Sequence, residues 1–212
     1  MGPKQLGSSR LSAERSLHAM ERRLERQPDL KVQYHEFMEM HKELGQMELV
    51  KSQEPMQPCY FLPLHVVFKE TSTTKRTIVV FDGSAKTYKG LSLNNILQVG
   101  PTVQPGLYCL VLGFRTHQVC FAAYITKMNR QITLHPIDRN LQKILWRYST
   151  EEPIQEYQLN NVTHGAASGS YLAKRCPKKL AGDNKCHHLR LALVLSNEFY
   201  VNDILSGTPI LK

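Results

Sequence analysis

Apolar side chains recur at Leu17, Met20 and Leu24, and again at Leu30, Tyr34, Phe37, Met38 and Leu44, with charged residues between them. Steps of three and four residues put such positions on one face of a helix. The pattern predicts a helical hairpin over residues 11–50, broken at Pro28-Asp29, with Asp29 capping the second helix and Gly45 ending it. The charges of the first helix, Glu21, Arg22, Arg23, Glu25 and Arg26, are expected to form a solvated face.

From about Gln57 the texture changes to short β-branched runs punctuated by Gly, Pro and Asn. Tyr60–Phe68, Thr77–Phe81, Val119–Tyr124, Tyr157–Leu159 and Phe199–Leu205 read as strands. Leu107–Arg115, Ala166–Lys179 and Leu189–Ser196 carry helical periodicity between them. The fold class that follows is α+β: a disordered segment over 1–10, a helical arm over 11–50, and a mixed domain over 57–212.

Composition narrows the class. The 212 residues are 42% hydrophobic, enough for an ordinary core. Lys and Arg number 27 against 18 Asp and Glu, a net charge of +9 that suits an anionic partner, nucleic acid before membrane. No apolar run reaches the roughly 18 residues of a membrane span, and Met1–Ser9 has no signal core, so an intracellular protein, cytoplasmic or nuclear, is expected. Gly2 lacks the hydroxyl residue that myristoylation wants, since Leu6 stands there. Cys59, Cys109, Cys120, Cys176 and Cys186 are odd in number and widely spaced, which points to free thiols.

Several chemistries are absent. Neither GxxxxGK[ST] nor GxGxxG occurs, so no glycine-built phosphate cradle is present. His35-Glu36 opens like a zinc-protease helix, but the fifth position is Glu39, and one face cannot offer two imidazoles. Cys176, Cys186, His187 and His188 are metal-ligating types at no familiar spacing.

What stands out is an ordered series of segments. It runs Leu62-Pro63-x-His65-x-Val67-Phe68-Lys69-Glu70, then Val79-Val80-Phe81-Asp82-Gly83-Ser84-Ala85-Lys86, then Ser92-Leu93-Asn94 with Gly100-Pro101-Thr102. Lys127-Met128-x-Arg130-Gln131-Ile132 follows with His135-Pro136, then Ile144-Leu145-Trp146-Arg147, Val162-Thr163-x-Gly165 and Phe199-Tyr200-Val201-Asn202-Asp203. Collinear from about Leu11 to Gly207, the series resembles the fingers and palm of the reverse transcriptase in BEL/Pao-type LTR retrotransposon polyproteins.

The resemblance implies a fold of reverse-transcriptase-like fingers and a partial palm behind the helical hairpin, with the thumb absent because the chain ends at Lys212, nine residues after Asp203. It implies phosphoryl transfer on an RNA or DNA template-primer, assisted by two Mg²⁺ ions held on three aspartates. Aligned through Lys127-Met128, the first of those positions holds Tyr124; the second holds Asn202, and Asp203 alone is retained as a metal ligand. The nucleotide-binding positions it implies are Lys69, Arg76, Asn129 and Gly165. Ile78 stands where the family has a triphosphate-binding Arg, with Arg76 on the same strand face roughly 7 Å away. Asn129 replaces the aromatic that screens the sugar, and Ser168-Gly169-Ser170 replaces Ser-x-Pro.

Two of three anionic ligands are therefore missing, and a catalytically inactive polymerase fragment is the expectation, with the remainder of a pol polyprotein as its natural partner. The alternative is a non-catalytic, basic nucleic-acid-binding protein that keeps the fingers surface of Lys69, Lys75, Arg76 and Lys86. An active enzyme would need another carboxylate near Tyr124. Asp138 is the nearest, and its Pro136-x-Asp138 setting reads as a loop.

Overall fold

A computed structural model describes residues 3–50, 58–68, 77–104 and 106–208. The fold is mixed α+β, and the chain divides into two compact units that each draw on separate stretches of sequence. Unit 1 comprises Met1–Gln98 and Thr133–Ala167; unit 2 comprises Val99–Ile132 and Ser168–Lys212.

In unit 1, α1 (Arg10–Arg26) buries Ala13, Leu17, Met20 and Leu24, and α2 (Pro28–Glu43) buries Leu30, Tyr34, Met38 and His41. Pro28 occupies the first turn of α2, where its missing N–H costs nothing. Gln27 is therefore the N-cap, and Asp29 lies in the first turn instead of capping it. The helix ends as the sequence suggests. Gly45 takes φ +64, its N–H donates to the Lys42 carbonyl and the Gln46 N–H donates to that of His41, a left-handed cap that only glycine adopts cheaply.

Strands β1 (Met47–Leu49), β5 (Lys143–Trp146) and β6 (Gln155–Leu159) form an antiparallel sheet in the order β1-β6-β5. Strands β2 (Leu64–Phe68) and β3 (Thr77–Phe81) form a separate hairpin, with Leu64 opposite Phe81. One-turn helices α3 (Leu93–Ile96) and α5 (Pro136–Arg139) complete the unit.

The helices are not an arm. α1 packs on β2 and β5, and α2 on β1 and β3, so their apolar stripes and both sheets close over a single core that includes Tyr60, Ile144 and Trp146. The first ten residues are not all loose either, as Ser9 is 2% exposed and its hydroxyl accepts a hydrogen bond from the Phe61 N–H at 2.7 Å. Nor is the charged face of α1 simply solvated. Arg23 donates to the Val66 carbonyl at 2.8 Å, and Glu21 accepts two hydrogen bonds from Arg147 on the residue after β5.

In unit 2, α4 (Leu107–Phe114) precedes β4 (Val119–Tyr124), and α6 (Gly169–Asp183) and α7 (Leu189–Asn197) precede the hairpin of β7 (Phe199–Tyr200) and β8 (Asp203–Thr208). The sheet order is β4-β8-β7, all antiparallel. Its small core joins Met128, Ala173 and Phe199 to Ile125, Ile132 and Ile204. Helix α6 begins three residues later than its periodicity predicts and runs through Pro177 to Asp183. Ten Lys and Arg against three Asp and Glu give unit 2 a surplus of seven, most of the chain's +9.

Candidate functional site

The β4–β8 ladder pairs Tyr124 with Asp203, and the β7–β8 hairpin pairs Asp203 with Tyr200. Directly opposed residues of antiparallel strands lie about 4.5–5.5 Å apart at Cα and point to the same face. Asp203 thus sits in a cross-strand row between two tyrosines. By alternation, Phe199 and Ile204 point to the opposite face, where they enter the core of unit 2. Tyr124 is 68% exposed, and Asp203 is exposed as well.

Val201 and Asn202 form the two-residue turn of the hairpin. Val201 has φ +57, a region where a β-branched side chain is strained. Two bonds hold the turn. The Val201 N–H donates to Gln104 Oε1 at 3.2 Å, and the Asn202 carbonyl accepts from the Ile125 N–H at 2.8 Å. The second bond extends the β4–β8 ladder one residue past Tyr124, so positions 124, 202 and 203 converge at one end of the sheet.

One carboxylate, one carboxamide and one phenol make up that convergence. A pair of divalent ions needs several carboxylate oxygens to offset its charge. This donor set does not fit it, and among the described residues no three His, Cys, Asp or Glu side chains gather as a metal site. Asp138, expected in a loop, lies in the first turn of α5 in unit 1. Cys176, Cys186, His187 and His188 are exposed in unit 2.

Of the nucleotide-binding candidates, Lys69 and Arg76 lie outside the described residues, as does Lys75. Asn129 lies in a 3-10 turn of unit 2 (Met128–Gln131), where its carbonyl accepts from the Ile132 N–H and the neighbouring Arg130 is pulled below its ordinary pKa by burial. Gly165 belongs to unit 1. Ile78 is partly exposed on β3, and Lys86 is exposed.

Gly165 marks a second junction, built around Asn94. The Asn94 amide donates to the Gly165 carbonyl at 2.8 Å and to Ser84 Oγ at 2.9 Å; its Oδ1 accepts from the Ala167 N–H at 2.7 Å. Its backbone N–H donates to the Gly83 carbonyl. One side chain therefore ties together three segments that stand far apart in sequence: 81–84, 92–95 and 165–167. Gly165 has φ +105, and a Cβ there would run into the Phe81 carbonyl oxygen. Asp82 serves this turn structurally, with Oδ1 accepting from the Ser84 N–H at 2.8 Å and Oδ2 lying 3.7 Å from His65 Nε2. Tyr60 braces the same loop by donating to the Ala85 carbonyl, and burial with the nearby Asp82 pushes its phenol up to about 12.

No sequence signal marks Asn94 or Gln104 for a role, and Tyr200, expected in the hairpin core, instead flanks Asp203. Asn94 lay within a recognised segment, whereas nothing about Gln104 signals its partner ninety-seven residues on. No protein-family model matches the chain, and no curated protein matches it.

Proposed function

We propose that this chain is a reverse-transcriptase-like fingers and palm fragment, of the kind found in BEL/Pao retrotransposon pol polyproteins, whose polymerase chemistry is lost. The observation that carries the reading is the β4–β8 register. It brings Tyr124, Asn202 and Asp203 together, and these are the three positions at which the resemblance calls for metal-binding aspartates. The junction at Asn94 adds support, because three of the resembling segments meet there.

Losing one well-placed electrostatic group costs a factor of roughly 10²–10³ in rate. Two are replaced here, by a phenol and a carboxamide. Purified protein, given a primed RNA or DNA template, all four deoxynucleotides and Mg²⁺ or Mn²⁺, is expected to leave the primer unextended. Extension above a heat-inactivated control would overturn the assignment of inactivity.

A second reading, a non-catalytic nucleic-acid-binding protein, draws on the charge surplus of unit 2. It predicts binding to single-stranded RNA or DNA that weakens steeply as salt rises, because phosphate contacts release counterions. Absence of such salt dependence in a filter-binding assay would remove it.

A further inference from the structure

One row of side chains in unit 2 is left without partners of its own. Tyr124, Asp203 and Tyr200 stand side by side on adjacent strands, on one face of the sheet. Tyr124 and Asp203 are exposed, and Tyr200 is half-buried. Among the described residues neither phenol ring meets another ring or a cation, and the Asp203 carboxylate has no hydrogen bond or ion pair.

The register fixes the spacing. Because the Ile125 N–H reaches the Asn202 carbonyl, the neighbouring pair Tyr124–Asp203 is of the closer, non-hydrogen-bonded kind, with Cα atoms about 4.5 Å apart. Asp203–Tyr200 closes a two-residue turn and is a hydrogen-bonded pair at about 5.5 Å. The two tyrosines therefore rise about 10 Å apart with the carboxylate between them. A cation seated midway stands about 5 Å from each, within the roughly 6 Å over which an aromatic face attracts positive charge. Exposed side chains change rotamer within nanoseconds, so the Tyr124 ring can turn its face inward.

Charge selects the sign, and surface chemistry the type, of the ligand. Glu198, the C-cap of α7, adds a negative group at this hairpin, where its carbonyl accepts from the Leu205 N–H at 2.9 Å. Its Oε2 is buried without a hydrogen-bond partner among the described residues, at a helix end that is itself partly negative. A hard divalent ion wants more carboxylate oxygens than one row supplies, and a primary ammonium is a compact, strongly hydrated charge that water holds better. A trimethylammonium group spreads its charge over methyl surface that aromatic rings can cover. The basic surplus of unit 2 disfavours a peptide rich in Lys and Arg as its carrier and leaves a small ligand of single charge.

We propose that the row Tyr124–Asp203–Tyr200 binds a small trimethylammonium compound such as choline, with the tyrosines as walls and the Asp203 carboxylate as floor. The site rests on the register alone and does not need the polymerase reading.

The chain has nine tyrosines, and ring labelling gives each a carbon-13 signal; those of positions 124 and 200 are identified by their loss in Tyr124→Phe and Tyr200→Phe. Choline titrated into the labelled full chain is expected to move both signals saturably, with a dissociation constant in roughly the millimolar range. The neutral analogue 3,3-dimethylbutanol, which replaces the charged nitrogen by carbon, should bind at least about tenfold more weakly, since both rings lose the cation. Read on the Tyr200 signal, Tyr124→Leu should weaken choline roughly three- to fivefold, while Tyr124→Phe, which keeps an aromatic face, should bind it as the unaltered chain does. Asp203→Asn should weaken it roughly threefold. Unmoved signals, equal binding of the neutral analogue, or equal affinity in Tyr124→Leu and Tyr124→Phe would overturn the proposal. The comparison of choline with its neutral analogue uses the unaltered chain and so decides the matter whatever the variants do to folding.

Discussion

Tyr124 lies directly across the β4–β8 ladder from Asp203, with its phenol on the same face of the sheet as the carboxylate. That single pairing decides what the end of this sheet can do. It places an uncharged aromatic ring beside the one acid of the convergence, and the turn residue next in chain contributes only a carboxamide.

Placing carboxylates at positions 124 and 202 should create an ion-binding site. Tyr124→Asp combined with Asn202→Asp puts three carboxylates within reach of one another, and hard divalent cations take such oxygen sets. We expect the double variant to bind Mn²⁺ at least about tenfold more tightly than the unaltered chain, read as loss of the free-ion signal in electron paramagnetic resonance. Equal affinity in the two proteins would show that the three side chains do not share a site.

Gly165→Ala should destabilise unit 1 by about 2–4 kcal/mol, since the new Cβ meets the Phe81 carbonyl oxygen at a φ that alanine avoids. Gly182→Ala is the contrasting case. It lies in α6 with open space around it, and there alanine should stabilise by up to about 1 kcal/mol. Urea unfolding of both variants tests the pair, and a neutral result at position 165 would remove the close approach from the account.

The Glu21–Arg147 pair predicts an acid-sensitive core. Burial raises the Glu21 carboxyl, but hydrogen bonds from Arg147 and His18 outweigh it and leave the group below its ordinary 4.5. A carboxyl held low when folded adds stability above its unfolded pKa and loses it as pH falls through the folded value. Stability should therefore decline below about pH 4.5, and Glu21→Gln should flatten that decline while costing about 1–3 kcal/mol at neutral pH. Thermal melts from pH 3 to 7 test both; parallel curves would exclude the linkage.

Val201→Gly should stabilise the β7–β8 hairpin by about 1 kcal/mol, because glycine takes φ +57 without strain. Hydrogen exchange at the Ile125 N–H, which donates into the turn, should slow accordingly. Faster exchange would show that Val201 contributes more through contact than it costs through strain.

Local order was readable and assembly was not. The short apolar runs Thr77–Phe81 and Val119–Tyr124 and the glycine stop at Gly45 need only neighbouring residues, and each stands where the pattern puts it. The three residues of β1 are too few to show a period, and β5 carries the continuous apolar run Ile144-Leu145-Trp146 that no alternation marks. The stripe Ala13, Leu17, Met20, Leu24 reveals an apolar face but not the sheets that cover it, which is how a core helix came to read as an arm. Asn94 and Gly165 depend on partners distant in sequence, so their types could be read and their task could not. Of the candidate site, only the adjacency of Asn202 and Asp203 is plain in the sequence; Tyr124 and Tyr200 join Asp203 through the register of the sheet, and Gln104 enters through its hydrogen bond to the Val201 N–H.

Strand β4 is an edge of its sheet among the described residues, and its six residues carry no charge. Such an edge is a template on which another copy can lay its own strand. Mutual repulsion between the positively charged second units holds copies apart, and that repulsion fades beyond about 8 Å at physiological ionic strength. Added salt screens that repulsion and so lets the uncharged β4 edges of separate copies approach one another.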